Sequence, residues 1–192
     1  YIILRLPQKG CLHSSAVCKK VLTPGLPTGL VPKLNTPSIM KILHTIHCLN
    51  KSWGGPSVCT YQLVKALNQT GTGTDLLSLS SNAEDDCIGT DPFIKYVEYD
   101  ARTPLGVSRN FKQFLVENIS RYDIVHVNTI WLWTTHDAVR VAKKHGMPVV
   151  LSLHGMLYPQ ALQVSRWKKQ LALPIFQRND LRCADVLHAT SM

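Results

Sequence analysis

From Met40 onward the chain repeats one pattern: a short apolar run, a turn, an amphipathic stretch, then another short apolar run. Short apolar runs bounded by turn residues read as strands buried on both faces, and stretches of helical period read as the helices that cover them. Strands are predicted over 41–49, 74–79, 94–99, 123–127, 149–153 and 185–189. Between them, Val58, Tyr61, Val64 and Leu67 line one helix face, and Gly71 stands where a C-terminal cap belongs. Val107, Phe111, Phe114, Leu115 and Ile119 line a second helix. A third runs over 135–145 and closes at Gly146, ahead of Pro148. A basic helical stretch over 165–183 is interrupted at Pro174. The alternation predicts an α/β fold, a Rossmann-like doubly wound parallel sheet with helices on both faces.

Residues 1–39 break the pattern. Pro24, Pro27, Pro32 and Pro37 recur there with Gly25 and Gly29 between them, and no helical or strand period survives. This stretch reads as a disordered or non-native extension, and 40–192 as the globular domain. The split also changes the meaning of the charge. The net charge is +9 over 192 residues. Arg5, Lys9, Lys19, Lys20 and Lys33 supply five of those charges, with no acid before Met40. The remainder suits a protein that handles anionic substrates or touches an anionic membrane, and nucleic acid is not expected as a partner.

Doubly wound sheets bind ligands at the carboxyl ends of their strands. Three segments fall there: 50–57, 128–133 and 154–158. In the first, Gly54 and Gly55 let a backbone approach a ligand closely, and Pro56 suits the first turn of a helix whose N-terminus attracts phosphate. The alternative is a tight turn with no ligand. The dinucleotide fingerprint and the NTPase phosphate loop are both absent. His154 ends a strand and points into the crevice, with Gly155 giving the turn room; packing without function is the alternative. Trp53, Trp131 and Trp133 lie in the same loops, where indole faces stack on sugar rings. Asn128 and Tyr158 complete the sugar or acceptor contacts expected there.

Other chemistry is excluded or weak. His44 and His47 stand three apart on a strand, face opposite sides, and do not share a metal; no metal and no cofactor are expected. His126 and His188 read as core. Glu84, Asp85 and Asp86 read as a solvated loop. The six cysteines show neither zinc-ligand nor disulfide-framework spacing and read as reduced, mostly buried thiols. No stretch reaches the ~20 apolar residues of a membrane span, and the first residues are too interrupted for a signal peptide, so the expected location is cytoplasmic. The basic residues of 165–183, Arg166, Lys168, Lys169, Arg178 and Arg182, read either as a solvated helix face or as contact with anionic lipid head groups, peripheral at the inner membrane.

Several segments, taken together, resemble retaining glycosyltransferases of family 4. They are Lys41-Ile42-Leu43-His44 leading to Gly54-Gly55, Leu63-Val64-Lys65-Ala66-Leu67, Tyr122-Asp123-Ile124-Val125-His126-Val127-Asn128, Pro148 to Leu157 with His154-Gly155, and Asp185 to Ser191. The run Trp167-Lys168-Lys169 with Arg178-Asn179-Asp180-Leu181 is most similar to bacterial members that assemble lipopolysaccharide, capsule or exopolysaccharide. The resemblance spans 40–192. It implies the N-terminal half of a GT-B fold, in which Gly54 and Gly55 approach the donor diphosphate and His154 contacts the transferring sugar. A nucleotide-sugar donor and a glycan or lipid-linked acceptor follow as substrates, with retention of configuration and no metal. The donor-binding second half of the family pattern is not found in the sequence, so 192 residues alone are expected to be inactive. A stand-alone α/β nucleotide- or ligand-binding module without catalysis is the competing expectation.

Overall fold

The computed structural model describes residues 2–4, 40–80, 86–101 and 103–189. Its strands are β1 (Ile2–Leu4), β2 (Lys41–Cys48), β3 (Gly73–Leu79), β4 (Ile94–Val97), β5 (Ile124–Asn128), β6 (Val149–Ser152) and β7 (Val186–Ala189). Its helices are α1 (Gly55–Gln69), α2 (Arg109–Asn118), α3 (Trp133–Lys144), α4 (Pro159–Gln163), α5 (Arg166–Ala172) and α6 (Arg178–Cys183), with a π-helical turn over Leu173–Gln177 between the last two.

One sheet contains all seven strands in the order β1-β7-β6-β5-β2-β3-β4. From β2 to β7 every neighbouring pair is parallel. Counted from β2, the order is that of a doubly wound dinucleotide-type sheet, which reverses direction between β2 and β5. β2 is buried from Leu43 to Cys48, as a central parallel strand must be.

Alternation along the strands splits the core between two faces. Leu43, Leu77, Val125, Val127 and Leu151 pack with Phe111 and Leu115 of α2 and Ala138 and Ala142 of α3. Ile46 and Leu76 pack with Tyr61 and Val64 of α1 on the opposite face. The sheet is therefore covered by helices on both sides.

Helix phase departs from the sequence reading at two valines. Val58 is exposed, and α1 instead turns Ser57, Thr60, Tyr61 and Val64 inward. Ser57 sets that phase by donating its Oγ–H to the Cys48 carbonyl at 2.9 Å. Val107 is exposed because α2 starts later, at the Ser108 cap, whose Oγ accepts from Phe111 N at 3.0 Å. The expected caps hold at Gly71 and Gly146, with φ of 84° and 70°. The interruption at Pro174 is the π turn. Proline has no N–H and crowds the carbonyl four residues back, and a widened turn relieves both.

Other expectations are corrected locally. Ile2–Leu4 forms an antiparallel edge strand on β7, where the margin of the sheet offers unpaired backbone groups; the rest of the extension lies outside the described residues. So do Glu84, Asp85, Thr190 and Ser191. Asp86 is not simply solvated: its carboxylate accepts from Ser52 N at 3.1 Å and Ser52 Oγ at 2.5 Å. Cys48, Cys59 and Cys87 are free thiols, but Cys183 is disulfide-bonded. No helix among the described residues is long and apolar enough to cross a membrane.

Candidate active site at the carboxyl edge of β2, β5 and β6

The three loops singled out by sequence emerge from neighbouring strands, since β6, β5 and β2 are consecutive in the sheet. The first leaves β2 through a 3-10 turn at Lys51–Trp53. Asp86 clamps this turn through Ser52, and Asn50 bridges to Cys87. Gly54 follows with φ 76° and ψ −149°, a region essentially reserved for glycine. α1 then begins at Gly55 with proline in its first turn and no side chain capping its N-terminus. A Cβ at Gly54 or Gly55 would meet nothing within 4 Å. The open end of a 15-residue helix therefore faces free space at the switch point of the sheet, where its dipole favours an anion.

The second loop leaves β5. Thr129 and Trp131 have φ of 75° and 76°, unusual for residues other than glycine. Gln177, buried in the π turn, holds this conformation by accepting Trp131 N–H at 2.6 Å. The Trp131 indole N–H donates to the Met156 carbonyl at 3.3 Å, so this ring joins the second loop to the third. Its donor is thus already engaged. Trp133 is not in the loop as expected. It opens α3 and packs edge-on to Phe176 and His136, with ring centroids 5.2 and 5.0 Å away.

The third loop carries His154 (φ 46°) and Gly155 (φ 70°). His154 Nε2 lies 3.1 Å from Asn128 Oδ1. Asn128 Nδ2 in turn faces the Thr45 carbonyl at 3.4 Å and the His126 carbonyl at 3.3 Å. Both of those groups only accept, which fixes the amide orientation and makes Oδ1 the acceptor for His154. His154 Nε2 therefore carries the proton. Burial, reinforced by His188, lowers the His154 pKa to about 4. At neutral pH the ring is uncharged, and its Nδ1 is an acceptor suited to a sugar hydroxyl. Tyr158 lies beside Gly155, where an added Cβ would sit 3.2 Å from the tyrosine ring.

Behind these loops stands a layer of histidines. His47 Nδ1 meets Thr134 Oγ1 at 3.0 Å, and its ring lies 4.9 Å from that of half-exposed Trp53. Burial brings His44 and His47 to about 4 and holds His126 well below the usual histidine range. The His44 and His126 rings lie 4.4 Å apart, tilted by 44° to each other. Ser152 Oγ joins His126 Nε2 at 2.7 Å to His188 Nδ1 at 2.8 Å. Among the described residues, no group of three or more His, Cys, Asp or Glu side chains is arranged to hold a metal.

The arrangement brings Asn128, Trp131, His154, Gly155 and Tyr158 together and sets Trp53, Gly54 and Gly55 on the adjoining loop. Sequence reasoning missed Gln177, His47 and Asp86. Gln177 gave one usable signal, a buried-phase polar residue three positions after a helix-interior proline. A shallow concavity of about 290 Å³ lies apart from these loops, at the β4 margin between Val97, Glu98 and α2.

Residues 54–192 match the glycosyl transferase 4-like domain family. The chain belongs to that family. No curated protein matches this member in sequence. Its fold is similar to that of an α-glucosyltransferase solved with UDP and a 13-mer DNA, at 14% identity and a TM-score of 0.50, over 79% of this chain and 37% of that one. A UDP-N-acetylglucosamine 2-epimerase from Listeria monocytogenes aligns at 15% identity and a TM-score of 0.49, over 78% of this chain and 39% of that one. MurG from Acinetobacter baumannii aligns at 14% identity and 0.41, over 66% and 39%. The chain thus spans under two fifths of the length of these structures. As a member of the glycosyl transferase 4-like family it has the Rossmann-like sheet that is seen here, with the glycine turn inside the matched region.

Proposed function

We propose that the full-length protein transfers a hexosyl-type sugar from a nucleotide-sugar donor to a growing glycan or lipid-linked acceptor, with retention of configuration and without a metal. The carrying observation is the His154–Asn128 pair beside the uncapped N-terminus of α1. In this reading the Gly54–Gly55 turn and the helix end receive the donor diphosphate, because they offer backbone N–H groups without side-chain obstruction. His154 contacts the transferring sugar through Nδ1. Trp53, Asn128, Trp131, Gly155 and Tyr158 frame the sugar and acceptor. Catalysis then rests on positioning and on stabilising the leaving diphosphate. The family match supports the transferase class, and the similarity of the basic run to polysaccharide-assembling members supports lipopolysaccharide, capsule or exopolysaccharide synthesis. In this reading the enzyme works in the cytoplasm, peripheral at the inner membrane.

The test is release of nucleoside diphosphate from a panel of nucleotide sugars by the full-length protein, with the product anomer read by NMR. Retention is expected, and His154→Ala should lower turnover by about 10²-fold or more. Near-normal turnover in that variant overturns the role of His154. Binding of a nucleotide without any transfer favours a non-catalytic module.

A further inference from the structure

The helical stretch from Arg166 to Cys183 has two unlike faces. Ala172, Phe176, Asp180 and Cys183 are buried against the domain. The opposite row holds Trp167, Leu171 and Ile175 at a spacing of four, exposed by 59%, 54% and 62%. Val164, just before the helix, and Leu173 are also exposed, by 67% and 41%. A concentration of large apolar side chains on one open face marks an interaction surface.

The charges around the row share one sign. Arg166, Lys168, Lys169, Arg178 and Arg182 lie within the stretch, and Asp180, its one acid, is buried against His136 at 2.8 Å. No ion pair among the described residues involves Arg166, Lys168, Arg178 or Arg182. Lys168 Nζ stands 5.6 Å over the Trp167 ring, with the ammonium beside the indole. The apolar row continues into exposed Arg178 and Arg182. An exposed apolar row ending in cations, with tryptophan at one end, fits an interface that is oily below and anionic above. A nucleic acid would satisfy the cations but leave the apolar row in water.

The geometry points to an anionic lipid surface as the occupant of this face, with Trp167, Leu171 and Ile175 entering the acyl boundary and Arg166, Lys168, Arg178 and Arg182 meeting the head groups. This deepens the proposed function by naming the surface that brings the enzyme to a lipid-linked acceptor, and it rests on that reading for its purpose. None of these side chains is among the site residues named above.

Sedimentation of the full-length protein with phosphatidylcholine vesicles, with and without phosphatidylglycerol, tests it. Binding should require phosphatidylglycerol and weaken with salt. Trp167 emission should shift to the blue, and the shift should vanish in Trp167→Phe. The Trp167→Ser/Ile175→Ser double variant should lose about tenfold or more in affinity. Arg178→Gln and Arg182→Gln should each lose about fivefold. All four side chains are exposed, so thermal melting should be unchanged; if the double variant melts early, the two arginine variants carry the test. Equal binding to neutral vesicles, unaltered binding in the variants, or self-association through this face without vesicle binding overturns the assignment. Nucleotide-sugar binding by the same variants separates the outcomes: retained donor binding without lipid binding sinks this inference alone, and loss of donor binding in the parent protein sinks the proposed function.

Discussion

His154 Nε2 donates to Asn128 Oδ1 across 3.1 Å, between the ends of two adjacent parallel strands. The bond leaves a neutral ring whose proton is on Nε2, so at neutral pH Nδ1 is an acceptor and not a donor. Asn128→Asp should reverse this. A carboxylate at the same place favours the imidazolium and should raise the His154 pKa from about 4 by about one to three pH units. Histidine NMR titration reads the change directly. An unaltered His154 titration in the variant would show that the pair does not control the ring.

The buried histidines make the fold acid-sensitive. His44 and His47 have folded pKa values of about 4, against about 6.5 in the unfolded chain. Between those values the unfolded state binds more protons, so stability is full above about pH 6.5 and falls as the pH drops toward 4. Each of the two contributes on the order of 3 kcal/mol to that loss. Denaturant midpoints measured from pH 8 to pH 4 should fall steeply below pH 6.5. His47→Gln should flatten the slope, and a pH-independent midpoint would contradict the neutral state of these rings.

Gly54 and Gly55 should separate stability from binding. Gly54→Ala meets no steric neighbour but forces alanine into a glycine-only conformation, at a cost of about 1–3 kcal/mol. Gly55→Ala has ordinary backbone geometry and open space, so it should leave the melting temperature unchanged or slightly raised. Its added methyl stands where the proposed diphosphate approaches, and calorimetry with a nucleotide sugar should show weakened binding. Weakened folding at Gly55 with intact binding would argue for a structural turn alone.

Gln177→Leu removes the acceptor from Trp131 N and should cost about 1–3 kcal/mol. The effect should be local. Hydrogen exchange should accelerate over 129–133 while α6 keeps its protection. Uniform acceleration throughout the domain would mean that Gln177 supports the core and not the loop.

The strand pattern was readable because central parallel strands are buried on both faces, as the run from Leu43 to Cys48 is. Helix phase was less so: Val58 and Val107 fit the apolar stripes but lie outside them, since Ser57 and Ser108 anchor the first turns. The loops of the site followed from the rule about carboxyl ends. Their internal wiring did not. The His154–Asn128 bond depends on the register that sets Asn128 beside Ser152, and the Gln177–Trp131 bond depends on a π turn that rephases the helix. Neither is a local property of the sequence.

The position of β2 in the sheet also bears on how the chain is made. One edge of β2 pairs with β3, which follows it closely, but the other waits for β5. Lys41 N meets the Asp123 carboxylate across 82 positions of sequence. At ribosomal rates of about 5–20 residues per second, the interval is roughly 4–16 s. Throughout it the nascent chain presents an apolar strand with one side unpaired, a template for any other strand nearby. The strand at the centre of the finished sheet is thus an open edge for that part of synthesis.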